Sequence, residues 1–314
     1  MNDLIVFENV SKFYGEVLGV NRVSLTIPPG ITTLVGPNGS GKTTLMNLLT
    51  GLVQPSSGSI SVMGLSSRDA NKFFATVGYC TQFDFFPRDI TGWQFLVDSL
   101  MLYGMSKLNA IQLAEEALQR VQLDKTAAWR KIDGYSKGMR QKIRLAQAIA
   151  HRPRVLVLDE PLNGLDPMAR AEAMALFEAL GRQRIHLIIS SHVLDEVDRI
   201  ADRVVLITGG YLIAEGNIHQ VRQEVREKPM QVLVRCDRPE ALASKMFAMN
   251  HCVEARLHPD GNGIFLRTGD VDQFYSILNE IATEGIVKIE AVAPADDDAN
   301  AIYQYLIGSE EGIL

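Results

Sequence analysis

The sequence predicts an α/β domain with a mixed sheet and a helical insert, followed by a small α+β domain of ferredoxin-like pattern. Three apolar runs carry the first part: VLVLDEP (155–161), HLIISS (186–191) and RVVLIT (203–208). Each is short and rich in Leu or β-branched residues, as buried parallel strands are. Helical stretches such as PMARAEAMALFEAL (167–180) lie between them. The second part rests on element order after residue 229, which reads β-α-β-β-α-β-α.

The elements follow in order. LIVFENV, VSLTI and ITTLVG, within residues 4–36, are β-rich runs broken by turn signals such as PPG at 28–30. SGSISVMG (57–64) reads as a further strand between glycines. Residues 92–123 carry helical spacing, with Trp93, Leu96, Val97 and Leu100, then Leu113, Ala117 and Val121. These residues belong to an insert at about 85–150. The first domain is expected to span 1–215, a linker 216–228, and a C-terminal α+β domain 229–314. In that last domain MQVLVRC, CVEARLH, GIFLRT and IVKIEAVA are the strands, and PDGNG joins the middle two as a hairpin. EALASKMFAM, VDQFYSILNEIA and ANAIYQYLIG are its helices.

Composition bounds the function. The chain has 314 residues, 46% hydrophobic and 22% charged, enough for two packed domains. Cys80, Cys236 and Cys252 are too few and too scattered for a disulfide framework or a zinc pattern. No run reaches the ~18 apolar residues of a membrane helix. The opening MNDLIVFENVSKFYG has no basic head before an apolar run, so no secretory signal is expected. Residues 1–215 hold 22 Lys and Arg against 21 Asp and Glu, while residues 216–314 hold 9 against 16. That acidic second part argues against a nucleic-acid partner.

Chemistry concentrates in GPNGSGKT (36–43). Gly36, Pro37, Asn38, Gly39, Ser40 and Gly41 form a glycine-rich turn between a strand and a helix, the context of a phosphate loop. The glycines let the backbone aim N–H groups at phosphate oxygens, and the helix adds its positive end. Lys42 would reach the β- and γ-phosphates, Thr43 would give its hydroxyl to Mg²⁺, and Thr44 would add a phosphate contact. Asp159, ending VLVLDE, would hold the Mg²⁺ directly or through water. Its neighbour Glu160 is placed to deprotonate the attacking water. His192 in ISSH is a candidate γ-phosphate sensor, and Gln82 in GYCTQ a ligand of the metal or of its water.

With these motifs in hand the chain resembles the ATP-binding cassette (ABC) transporter ATPases, over residues 1–215. The resemblance adds FYG with Tyr14, NGLD with Asp166, and YSKGMRQK (135–142) at the family's signature position. It is nearest to ATPases of bacterial type-2 exporters, whose membrane subunits are separate chains. The resemblance implies that Tyr14 stacks on adenine. It implies that two cassettes pack head to tail, each ATP lying between one phosphate loop and the other chain's signature. Ser136, Lys137, Gly138, Met139 and Asp166 would then face the partner's ATP. Lys137 and Met139 depart from the family's usual Gly and Gln; the expectation is that Lys137 adds charge near that phosphate. One loop and one signature per chain predict a homodimer. The implied protein is an ATP- and Mg²⁺-dependent ATPase subunit driving a membrane permease, cytoplasmic and peripheral at the inner face of the cell membrane. Competing readings are a soluble ABC ATPase acting on ribosomes or nucleic acid, and a phosphate-loop kinase. The C-terminal domain is left as dimer contact, regulatory domain or packing.

Two further expectations concern surfaces. In FDFFPRDITGWQFL (83–96), Trp93 and Phe95 read as core, and Phe85 and Phe86 as an exposed groove for a permease helix. Arg140, Lys142 and Arg144 read as a solvated helix face.

Overall fold

The computed structural model describes residues 4–83, 85–191, 200–217, 230–249, 251–269 and 271–295. The expected linker from residue 218 on, the last helix 299–308 and His192 lie outside the described residues. The chain divides into two compact units, Met1–Gly216 and Asn217–Leu314.

In the first unit β1 (Ile5–Tyr14), β2 (Val17–Ile27) and β4 (Ser57–Val62) form an antiparallel sheet in the order β2-β1-β4. A second sheet has six strands. They are β5 (Val77–Cys80), β6 (Val155–Leu158), β7 (His186–Ser191), β3 (Ile31–Val35), β8 (Arg203–Thr208) and β9 (Tyr211–Asn217), in that spatial order. The first five pair in parallel. Every residue of β3 and β6 is buried, because both faces of the sheet are covered.

Alternation along these strands feeds two cores. Val155 and Val157 face a core shared with the antiparallel sheet and with α1 (Lys42–Leu49). Leu156 and Leu158 face the other core, built with the helical insert. That insert comprises α3 (Gly92–Leu102), α4 (Lys107–Arg120), α5 (Lys125–Ala128) and α6 (Lys137–Ala150). The helical spacing over 92–123 belongs to two helices, not one. Gly104, at φ +83°, closes the first, and the Ser106 side chain caps the second. A helix the sequence reading passed over, α2 (Ala70–Thr76), precedes β5 and buries Phe73. After β6 comes α7 (Pro167–Arg182), capped by Asp166, whose Oδ1 accepts from the Ala169 N–H at 2.9 Å.

One surface expectation is corrected here. Phe86 is not part of an exposed groove: it is buried and meets Phe95 edge to face, ring centres 5.2 Å apart. Phe83 and Phe85 are exposed. Trp93 packs on the core and stacks on Trp129, with centroids 5.2 Å apart and planes at 22°.

The second unit holds one antiparallel sheet in the order β11-β12-β10-β13. Its strands are β10 (Met230–Cys236), β11 (Glu254–Leu257), β12 (Gly263–Thr268) and β13 (Ile289–Pro294). Val232 pairs with Leu266 and Val234 with Ile264. These residues form the core with Leu242 and Met246 of helix Pro239–Ala248 and Phe274 and Leu278 of helix Val271–Thr283. All three cysteines are free and buried, and burial pushes the Cys80 thiol up to about 11.

Gly78 shows how tightly insert and sheet meet. A Cβ built there would lie 2.2 Å from the Ala148 carbonyl oxygen of α6. Backbone atoms cannot yield as a side chain can. Gly78→Ala is therefore expected to cost about 1–3 kcal/mol of stability, read as a lowered midpoint in thermal unfolding.

Candidate functional site

The parallel register places the carboxyl ends of β3, β7 and β6 side by side: Val35 pairs with Ser191, and Leu158 with Ile189. Loops leaving such ends line the usual ligand crevice of an open α/β sheet. Here they are the 36–41 loop and the segment beginning Asp159–Glu160.

The loop is shaped by its glycines. A Cβ on Gly36 would lie 2.1 Å from the Ile207 carbonyl oxygen and 2.7 Å from Ser40 Oγ. Gly39 and Gly41 take φ +79° and +107°, the left-handed region that glycine enters without strain. Gly41 stands at the cap of α1 and offers no side chain to its first turn. The N–H groups there are suited to an outside anion. Ser40 Oγ is buried without a hydrogen-bond partner.

Lys42 is buried. Its Nζ donates to the carbonyls of Gly36 (2.6 Å) and Pro37 (3.1 Å) and lies 3.6 Å from Glu160 Oε1. Burial pulls its pKa below the ordinary lysine range, while the charges of Glu160 and then Asp159 push it back up.

Asp159 is almost wholly buried. Ser190 Oγ donates to its Oδ1 at 2.7 Å and accepts the Glu160 N–H at 2.7 Å. One hydroxyl thus pins both acidic residues. The other oxygen, Oδ2, is buried with no hydrogen bond of good geometry. Burial raises the Asp159 pKa above the usual carboxylate range, opposed by the Ser190 and Thr43 hydroxyls. Glu160 holds φ +47°, uncommon for a residue with a side chain. Such outliers gather at functional sites.

These groups open on a cleft of about 670 Å³, lined from Tyr14 and Gly19 past the loop, Thr43 and Thr44 to Gln82, Glu160 and Asn163. That size suits a bound small molecule. Tyr14 is half-exposed, with Lys12 Nζ 5.3 Å from its ring centre. A Cβ on Gly19 would press on both Thr44 and Tyr14. Among the described residues no three of His, Cys, Asp and Glu come together as a metal cluster. The candidate donors are the buried Asp159 carboxylate, the Thr43 hydroxyl and the Gln82 amide, of which the last two line the cleft. An all-oxygen set of this kind, with one carboxylate oxygen unsatisfied, fits Mg²⁺.

Ser136–Met139 and Asp166 do not line this cleft. Ser136 caps α6, its Oγ accepting the Met139 N–H at 3.3 Å. Lys137 turns its ammonium onto Gly164 of the same chain, where a Cβ would lie 1.8 Å from Nζ. Gly164 holds φ +66° and leaves that space open.

The basic run of α6 is not a plain solvated face. Arg140 donates to the Asp133 carbonyl, and Lys142 pairs with Glu172 at 2.7 Å. Arg144 reaches the carbonyls of Thr81, Gln82 and Phe83. Sequence reasoning passes over Ser190 and reads Arg144 only as part of a solvated helix face. The doubled serine of ISSH, beside a strand ending in two carboxylates, was the available signal for Ser190.

A phosphate-gripping loop beside a pinned carboxylate pair, at the carboxyl edge of a parallel sheet, defines a nucleotide-hydrolysing class of protein. Residues 20–163 match the family model described as ABC transporter. The Bacillus subtilis ABC transporter ATP-binding protein YxlF is 30% identical over 284 residues, 90% of this chain and 92% of its own. The Nod factor export ATP-binding protein I of Burkholderia lata is 38% identical over 68% of this chain and 71% of its own. The bacitracin transport ATP-binding protein BcrA of Bacillus licheniformis is 28% identical over 98% of each. A dimeric, post-hydrolysis ATP-binding cassette bound to ADP and Pi shares the fold at TM-score 0.63 and 22% identity, over 68% of this chain and 98% of its own. The chain belongs to the ABC transporter ATP-binding protein family; it binds ATP and is an ATPase.

Ser190→Ala removes the shared anchor of Asp159 and Glu160. The expected outcome is a fall in kcat of about tenfold or more, with ATP still bound, measured by phosphate release and nucleotide titration.

Proposed function

We propose that the chain is the motor subunit of an exporter, working as a homodimer on a separate membrane permease. The observation that carries this reading is the split of the site. The cleft is lined by the loop, Glu160 and Tyr14, while YSKGM does not line it. A second copy would bring its Ser136, Lys137, Gly138, Met139 and Asp166 to the open side. The export direction is supported by the relatives named for Nod factor export. No described helix is long and apolar enough to cross a membrane, so a spanning partner of another chain is proposed, at the cytoplasmic face.

The geometry of the cleft, together with the family resemblance, supports the following residue roles. Tyr14 would stack on adenine, and the loop N–H groups and Thr44 would hold the phosphates. Lys42 would leave the Gly36 and Pro37 carbonyls for the β- and γ-phosphates. Its departure would release Glu160, now 3.6 Å away, to take the proton of the attacking water. Thr43, Asp159 and Gln82 would hold Mg²⁺, which would neutralise charge on the phosphate oxygens. His192 would sense the γ-phosphate. The Lys137 contact with Gly164 ties the signature to the loop leading into Asp166 within one subunit.

Three experiments test this. Glu160→Gln is expected to keep ATP binding, slow turnover at least about a hundredfold and accumulate an ATP-bound dimer on sizing columns. Wild-type turnover in that variant ends the assignment. Gly138→Asp is expected to spare nucleotide binding by the single subunit and abolish hydrolysis. Retained hydrolysis would mean that the signature takes no part. Detergent capture from the native cell should bring down a membrane protein; recovery of ribosomes or DNA alone would favour the soluble alternative.

A further inference from the structure

Arg144 makes an arrangement that the ATPase reading does not use. It lies beyond the first two turns of α6, the helix that opens at Ser136. Its Nη1 is within hydrogen-bond distance of three successive carbonyl oxygens, those of Thr81 (3.1 Å), Gln82 (3.0 Å) and Phe83 (2.9 Å). Its Nη2 donates to Gln141 Oε1 at 2.5 Å. Gln141 is buried, and its Nε2 faces Cys80 Sγ at 3.7 Å. One guanidinium therefore gathers the whole segment leaving β5.

Three carbonyl oxygens converging on one point repel each other unless a cation sits among them. Arginine supplies a charge that persists at every accessible pH, in a planar fork with donors for both the carbonyls and Gln141. Charge-assisted bonds of this kind are about twice as strong as neutral ones. Without Arg144 the backbone of 81–83 would have no described tie of this strength to α6.

We propose that Arg144 is a positioning residue for ATP hydrolysis. It fastens the backbone that carries Gln82 to the signature helix, and so sets where the Gln82 amide is presented to the metal. The proposal rests on the reading of Gln82 as a ligand of the metal or of its water. It also implies that a displacement of α6, when its Ser136 end meets the partner's nucleotide, moves Gln82 in the subunit's own cleft.

The test uses the purified full chain with Arg144→Ala, Arg144→Lys, Gln82→Ala and the Arg144→Ala/Gln82→Ala double variant. Phosphate release is followed against ATP and against Mg²⁺, with thermal unfolding alongside. Arg144→Ala is expected to lower kcat about tenfold, change KM for ATP by less than about twofold, and raise the Mg²⁺ needed for half-maximal rate. Arg144→Lys, which keeps the charge without the fork, should recover part of the rate. In the Gln82→Ala background, removing Arg144 should add nothing, because both act through one group. Losses that multiply in the double variant, or wild-type rate and Mg²⁺ dependence in Arg144→Ala beside a defective Gln82→Ala, overturn the proposal alone. An undisturbed Gln82→Ala removes the reading of Gln82 and the proposal with it. If Arg144→Ala unfolds below assay temperature, the same comparison is made with Arg144→Lys.

Discussion

Three charged groups sit out of water at one edge of the parallel sheet. Lys42, Asp159 and Glu160 are all nearly buried, and isolated charges in such a place are unstable. They persist because each is given a fixed partner: carbonyls for Lys42, Ser190 Oγ for Asp159, Lys42 for Glu160. Those partners exist only in this strand register. A slip of one residue between β6 and β7 would turn Ser190 to the opposite face of the sheet. The hydrophobic alternation of the central strands therefore does more than fill two cores. It fixes which polar atoms emerge together at the carboxyl edge.

Most of this centre was legible in the sequence because it is local. GPNGSGKT and VLVLDE each declare their chemistry within a few residues, and the strand and helix context follows from hydrophobic patterning. The C-terminal order of strands and helices, as far as residue 295, was readable for the same reason. What escaped was non-local. Ser190 matters through a strand pairing, and Arg144 through a contact with residues 61 to 63 positions earlier. A charge on an exposed-looking helix position and a charge clamping a distant loop are written alike. Phe86 was misread for a related reason: a neighbouring Pro and charges suggested solvent, yet Phe95 on α3 offered a ring at the right distance.

The helical insert is joined to the sheet through contacts of differing hardness. Gly78 against α6 is backbone on backbone and allows little play. The Arg144 fork spans a turn that leaves β5 at Cys80 and is polar and reorientable. α6 thus meets the region of β5 through one close backbone contact and one polar fork.

Glu160 occupies the left-handed region with a full side chain, where glycine would rest without strain. Replacing it by glycine would relieve that backbone and remove a buried carboxylate from the neighbourhood of Asp159. That relief is opposed by Lys42, which would lose the carboxylate now 3.6 Å from its Nζ. The left-handed backbone at this position is therefore held by what its own groups bind, Lys42 at the carboxylate and Ser190 Oγ at the N–H.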